Sequence, residues 1–212
     1  MSLNLPRVYP ITDKRLSGLS HAEQIARLIK GGASLIQFRD KQATPREFYR
    51  EAAVALQIAR DHNARLIIND RVDVALALKA DGVHLGQSDL PAEAARSLLG
   101  ENVIIGVSTH TIAQAEFAIT LPVDYVAFGP IFETLTKDTQ DPVAGLSELR
   151  KVRSITRSLP LVAIGGITFA NAPGAFKAGA DALAMISELV GDPAKIEENM
   201  SNVLALASSR LS

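Results

Sequence analysis

Eight short apolar runs, rich in β-branched residues, recur along this chain, with room for a helix between neighbours. They cover residues 8–12, 35–39, 66–69, 83–85, 103–108, 125–129, 161–164 and 182–186. Each run is too short for a helix and lies between turn residues, the pattern of a strand buried on both faces of a parallel sheet. Helix punctuation fills the intervals. Thr44, Pro45 and Glu47 form a capping box with proline at the first helical position, and Phe48, Ala52, Ala55 and Ala59 follow on one face. Ile196, Met200, Val203 and Ala207 make a similar stripe near the C-terminus. Eight strand–helix units in 212 residues, with no linker between them, predict an α/β fold, a single (β/α)8 TIM barrel over residues 1–212. An open doubly wound sheet is the alternative. It usually carries a glycine-rich first turn, whereas here the first run ends in Tyr9-Pro10-Ile11-Thr12-Asp13.

Composition removes several function classes. Twenty-two Lys and Arg against 23 Asp and Glu leave a formal charge of -1, so there is no basic excess to neutralise a nucleic-acid backbone. No apolar run approaches the roughly 18 residues of a membrane span. The chain has no cysteine, which excludes disulfides, thiolate metal sites and thiol nucleophiles. Residues 1–13 lack the pattern of a signal peptide, and the expected location is the cytoplasm. The expected partners are small molecules, with no nucleic acid and no membrane.

In such a barrel the chemistry sits at the C-terminal ends of the strands, so the residues that end each run matter most. The second run ends Gln37-Phe38-Arg39-Asp40-Lys41. Strand alternation sets Gln37 and Arg39 opposite Ile36 and Phe38. With the apolar pair on the helices, Gln37 and Arg39 point into the barrel mouth, where a guanidinium and an ammonium await an anion. A structural Arg–carboxylate pair is the plainer alternative. The third and fourth runs bring Asp70 and Asp89 to one end of adjacent strands, a donor set suited to one Mg²⁺ with water and substrate phosphates completing its shell. A salt bridge for Asp70 and a helix-start charge for Asp89 compete with that role. Ser108 stands at ligand height, while His84 and His110 read as structural histidines, with a general base the alternative for His110. The segment from Gly129 to Pro142, with Thr134, Thr136 and Lys137, suits a phosphate-gripping loop. Gly165-Gly166 after the seventh run and Ile186-Ser187 after the eighth make a backbone cradle for a phosphate monoester.

Taken together, YPITD at 9–13, QFRDK at 37–41, IIND at 67–70, DGVHLGQSD at 81–89, GVSTH at 106–110, TLTK at 134–137, AIGGI at 163–167 and MIS at 185–187 resemble the thiamine phosphate synthase family. The resemblance implies a transferase that joins hydroxymethylpyrimidine diphosphate to a thiazole phosphate by dissociative substitution, releasing pyrophosphate. It implies pyrimidine-diphosphate contacts from Gln37, Phe38, Arg39, Asp40, Lys41, Asn69, Ser108 and Lys137, with Arg39, Lys41 and Lys137 acting in catalysis. It implies thiazole-phosphate contacts from Thr134, Leu135, Thr136, Gly166, Ile186 and Ser187, and one Mg²⁺ on Asp70 and Asp89. A thiazole tautomerase and a non-catalytic ligand sensor on the same barrel are the alternatives. Retention of Gln37, Arg39, Lys41, Asp70 and Asp89 speaks against both.

Overall fold

A computed structural model describes residues 5–134 and 142–208. Its strands are β1 (Val8–Pro10), β2 (Leu35–Phe38), β3 (Arg65–Asn69), β4 (Gly82–Leu85), β5 (Ile104–Thr109), β6 (Tyr125–Phe128), β7 (Leu161–Ile164) and β8 (Ala182–Met185). They form one parallel sheet in the order β1-β8-β7-β6-β5-β4-β3-β2. The sheet curls until β1 meets β2. Ile11 bonds Met185 O on one side and bridges to Gln37 on the other, and Thr12 N–H donates to Gln37 O at 3.0 Å. This is the expected barrel. The first strand stops at Pro10, earlier than its apolar run, because Ile11 and Thr12 form this seam.

Ten α-helices are described: α1 (Lys14–Ser17), α2 (His21–Lys30), α3 (Pro45–Asp61), α4 (Val72–Leu78), α5 (Ala92–Leu99), α6 (Ile112–Ala118), α7 (Gly145–Thr156), α8 (Ala172–Lys177), α9 (Ser187–Val190) and α10 (Ile196–Ser208). The box at the start of α3 forms in full: Thr44 accepts from Glu47 N–H, and the Glu47 carboxylate accepts from Thr44 N–H at 2.9 Å. Phe48, Ala52, Ala55 and Ala59 are buried beneath it, as are Ile196, Met200, Val203 and Ala207 beneath α10. The one-turn helices α1 and α9 depart from the one-helix-per-strand plan. Four residues are too few to display a periodic apolar face.

Strand alternation sorts the core into two layers. Ile36, Phe38, Leu66, Ile68, Val83, Ile105, Val126, Phe128, Leu161 and Leu183 face outward and pack on the helices. Tyr9, Ile11, Leu35, Ile67, Ile104, Tyr125, Val162 and Ala182 face inward and fill the axis. Gly106 has a packing reason. A Cβ there would stand 1.9 Å from Cζ of Tyr125, so only glycine lets that ring lie across the barrel. With the axis plugged by apolar side chains and tyrosines, polar inward positions remain at the C-terminal rim: Gln37, Asn69, His84 and Ser108. No helix among the described residues is long and apolar enough to cross a membrane.

Candidate active site

The cations that follow β2, Arg39 and Lys41, are held by carboxylates from neighbouring strand ends. Asp13 caps α1 by accepting from Arg15 N–H at 2.9 Å, and its other oxygen accepts from Arg39 Nη1 at 3.2 Å. Asp13 is 3% exposed and Arg39 7%, so this is a buried ion pair at the edge of an open mouth. Burial lowers the Arg39 pKa and Asp13 opposes that shift. The plainer expectation for Arg39, pairing with a carboxylate, is therefore realised, yet Arg39 still lines the mouth. Lys41 donates to Asp70.

Asp70 directly follows β3, with a left-handed backbone (φ 64°) uncommon for a residue other than glycine. Burial raises its pKa, Lys41 opposes the rise, and Asp89 adds to it through a hydrogen-bonding approach of the two carboxyl groups. The salt-bridge alternative for Asp70 is realised with Lys41, while the adjacent Arg71 pairs with Asp73. Asp89 does not cap α5, whose cap position is Pro91; its Oδ2 accepts from Gly86 N–H at 2.6 Å instead. Two carboxylates drawn together at adjacent strand ends, with oxygen donors only, fit a divalent cation of the Mg²⁺ kind.

Gln37, Arg39, Lys41, Asn69, Asp70, Asp89 and Ser108 all line one cavity of about 500 Å³, together with Ile11, His84 and His110. Two expected contacts stand elsewhere. The Phe38 side chain is buried on the outer face, 5.0 Å from the Phe48 ring between centroids, because strand alternation turns it away from the mouth. Asp40 lines a neighbouring recess. Its oxygens accept from the amides of Gln42 and Ala43 and lie 3.3 Å from Nε2 of His21, so it shapes the loop between Arg39 and Lys41. Burial pushes the Asp40 pKa up, but the amide and His21 hydrogen bonds outweigh it and the net shift is downward.

A second, mostly apolar cleft lies over β6 to β8, lined by His110, Gly129, Pro130, Thr134, Gly165, Gly166, Ile186 and Ser187 among others. Thr134, Gly166, Ile186 and Ser187 are thus together, whereas Leu135, Thr136 and Lys137 lie outside the described residues. Gly166 has φ 63°, and Asn171 Nδ2 donates to its carbonyl at 2.8 Å, fixing the plane of the following peptide. Ser187 opens the one-turn helix α9 at the cleft wall, and its cap residue Ile186 supplies no side-chain hydrogen bond to the first turn. A Cβ on Gly166 would lie 2.3 Å from Glu133 O, so this glycine also lets two loops touch. His110 Nδ1 donates to Gly129 O at 2.6 Å, since a carbonyl can only accept. Sequence reasoning missed Asp13, though it closes the quoted YPITD segment. His84, expected to be structural, has both ring nitrogens within hydrogen-bond distance of buried hydroxyls, those of Tyr125 and Ser108, and also borders the cavity.

A parallel barrel with cations and carboxylates gathered at the C-terminal rim of its strands has the layout of the TIM-barrel class, which carries its active sites there. Comparison with known proteins narrows this. The family described as thiamine monophosphate synthase (TMP-TENI) matches residues 8–189. The thiamine-phosphate synthase of Chloroflexus aurantiacus is 46% identical over 185 residues, 87% of this chain and 85% of that one. The thiamine-phosphate synthase of Koribacter versatilis is 44% identical over 198 residues, covering 90% and 92%. The solved thiamine phosphate pyrophosphorylase from Pyrococcus furiosus superposes with a TM-score of 0.87 at 36% identity, covering 97% of both chains. The chain belongs to the thiamine monophosphate synthase family.

Proposed function

We propose that this protein joins hydroxymethylpyrimidine diphosphate to a thiazole phosphate in the cytoplasm, giving thiamine phosphate and pyrophosphate. One observation carries the reading: the polar cavity over β2 to β5 and the cleft over β6 to β8 share His110, Ile164 and Ile186. Two differently built recesses that meet at a common wall suit two substrates whose reacting ends must touch. In this reading Gln37, Asn69 and Ser108 hold the pyrimidine end, while Arg39, Lys41 and, from outside the described residues, Lys137 hold the diphosphate. Phe38 and Asp40 act only by supporting that strand end. Thr134, Gly166, Ile186 and Ser187, with Leu135 and Thr136, hold the thiazole phosphate.

The chemistry asks little acid–base work of the chain. The methylene C–O bond breaks with its electron pair leaving on diphosphate, and the thiazole nitrogen supplies the pair for the new C–N bond. That nitrogen has no proton to lose, so no general base is needed. The protein holds positive charge where the diphosphate gains negative charge, and it aligns nitrogen and carbon. Asp70 and Asp89 would hold one Mg²⁺, which when bound supplies further neutralisation of the leaving group. The Asp13–Arg39 pair keeps the guanidinium from collapsing elsewhere before substrate arrives.

Pyrophosphate release measured with each substrate alone and with both together tests the reading. Stoichiometric pyrophosphate and thiamine phosphate only with both substrates is the expected result. Isomerisation of a thiazole phosphate without pyrophosphate release would instead support a tautomerase. Binding of either ligand with no turnover would support a sensor.

A further inference from the structure

Beneath the polar cavity a line of buried hydrogen bonds crosses the barrel. Gln37 Nε2 donates to the Tyr9 hydroxyl at 3.1 Å, and the Tyr9 and Tyr125 hydroxyls are 3.0 Å apart. The Tyr125 hydroxyl is 2.9 Å from His84 Nδ1, and His84 Nε2 is 2.8 Å from Ser108 Oγ. The line joins β2, β1, β6, β4 and β5, and Gln37, Tyr9, Tyr125, His84 and Ser108 are all buried. Its two ends are the side chains assigned above to the pyrimidine. Tyr9 and Tyr125 line neither cavity, so neither is placed to touch a substrate.

Counting protons gives the line a direction. Burial raises the pKa of both phenols, so each stays neutral with one proton to donate. Tyr9 already accepts from Gln37. If it also accepted from Tyr125, its own proton would have no acceptor among the described residues, which a fully buried hydroxyl seldom tolerates. Tyr9 therefore donates to Tyr125, Tyr125 donates to His84 Nδ1, and His84 donates from Nε2 to Ser108. This order needs a neutral His84 protonated on Nε2. Ser108 then accepts from inside the protein and turns its own proton toward the cavity. Reversing any one link forces the others to reverse or leaves a buried proton unpaired.

We infer that Tyr9, Tyr125 and His84 form a positioning relay that sets the hydrogen-bond polarity of Gln37 and Ser108 together, so that Ser108 presents a donor to an acceptor atom of the pyrimidine ring. The inference rests on the pyrimidine assignment made above and deepens it. It makes two otherwise distant contacts interdependent across the barrel. It also gives Gly106 a functional purpose, since only glycine leaves room for the Tyr125 ring that carries the middle link.

The test has a spectroscopic arm and a kinetic arm. In full-length protein labelled with ¹⁵N-histidine, the His84 signal, identified by its loss in His84→Gln, is expected to report the neutral Nε2–H tautomer. In Tyr125→Phe it is expected to move toward a mixture. An Nδ1–H or doubly protonated His84 in the unmutated protein overturns the relay, and this arm needs no mutant to fold. In kinetics, Tyr9→Phe and Tyr125→Phe should each raise the pyrimidine-diphosphate KM about tenfold while the thiazole-phosphate KM stays within about twofold. The double variant should be no worse than either single one, because a chain is severed by one cut. Effects that multiply in the double variant, or that fall equally on both substrates, overturn the relay. Failure of the underlying assignment looks different: Gln37→Ala and Ser108→Ala would leave the pyrimidine KM unchanged whatever tautomer His84 adopts.

Discussion

Replacing Asp13 by Asn removes one charge from a buried pair and leaves its shape almost unchanged. The carboxylate accepts from Arg39 Nη1 at 3.2 Å and from Arg15 N–H at 2.9 Å, and an Asn oxygen can take one of these roles but not both. At 3.2 Å and an effective dielectric of 20, the charge–charge attraction is about 5 kcal/mol. Three features reduce the loss. Arg39 keeps weaker attractions to Asp70 and Asp40. It lines an open cavity from which water can solvate it. The second partner, Arg15, is 44% exposed and its ion pair contributes little. Loss of a fully buried partner typically costs 3–5 kcal/mol, and with these reductions about 2–3 kcal/mol is expected here. Urea denaturation of Asp13→Asn should show that loss with an unchanged m-value. The freed guanidinium should also hold the diphosphate less well, lowering kcat/KM for the pyrimidine substrate about tenfold. Arg39→Gln added to Asp13→Asn should recover part of the stability, since no uncompensated charge is then buried. A loss below about 0.5 kcal/mol with normal kinetics would refute the reasoning, because it would mean the pair is effectively solvated.

Further outcomes follow from the same geometry. Asp70→Asn and Asp89→Asn should each lower kcat by about 10²-fold, roughly 2.7 kcal/mol, with partial recovery at raised Mg²⁺; full activity in excess EDTA would remove the metal from the mechanism. Burial and Asp89 raise the folded-state pKa of Asp70, so holding it ionised costs stability as pH rises past its unfolded-state value, and the metal-free Tm of Asp70→Asn should hold or rise in a thermal melt. Gly106→Ala should lose about 3 kcal/mol in denaturant, because its methyl group falls 1.9 Å from Cζ of the Tyr125 ring and a packed axis has no room to yield. Burial holds the His21 pKa below 6.5, against an opposing hydrogen bond to Asp40. As pH falls below 6.5 the unfolded chain takes up this proton first, so that part of the stability is present above 6.5 and is lost on acidification through the folded-state value. His21→Gln should flatten the stability profile between about pH 7 and about pH 5, measured by urea unfolding, and an unchanged slope would count against the assignment.

Period and punctuation by themselves determined the barrel. Strand positions such as Leu161–Ile164 and the box that starts α3 are local properties, written in apolar runs and capping residues that need no distant partner to be read. The inward facing of Gln37 and Arg39 was legible for the same reason, because a two-residue period and one apolar face fix which way a strand side chain points. Other features depended on residues far apart in the chain. The Phe38 ring faces outward by that same period, so only its place in the QFRDK run made it look like a ligand contact. Asp13 showed no local sign of its role, because its partner Arg39 comes 26 residues later and meets it only when β1 and β2 close the barrel. The line from Gln37 through Tyr9, Tyr125 and His84 to Ser108 draws on five strands, and Tyr9 and Tyr125 are 116 positions apart. A barrel axis brings such residues together, and their shared burial makes each depend on the next for a hydrogen-bond partner. Sequence period sets the direction of each side chain; closure of the sheet decides what that side chain meets.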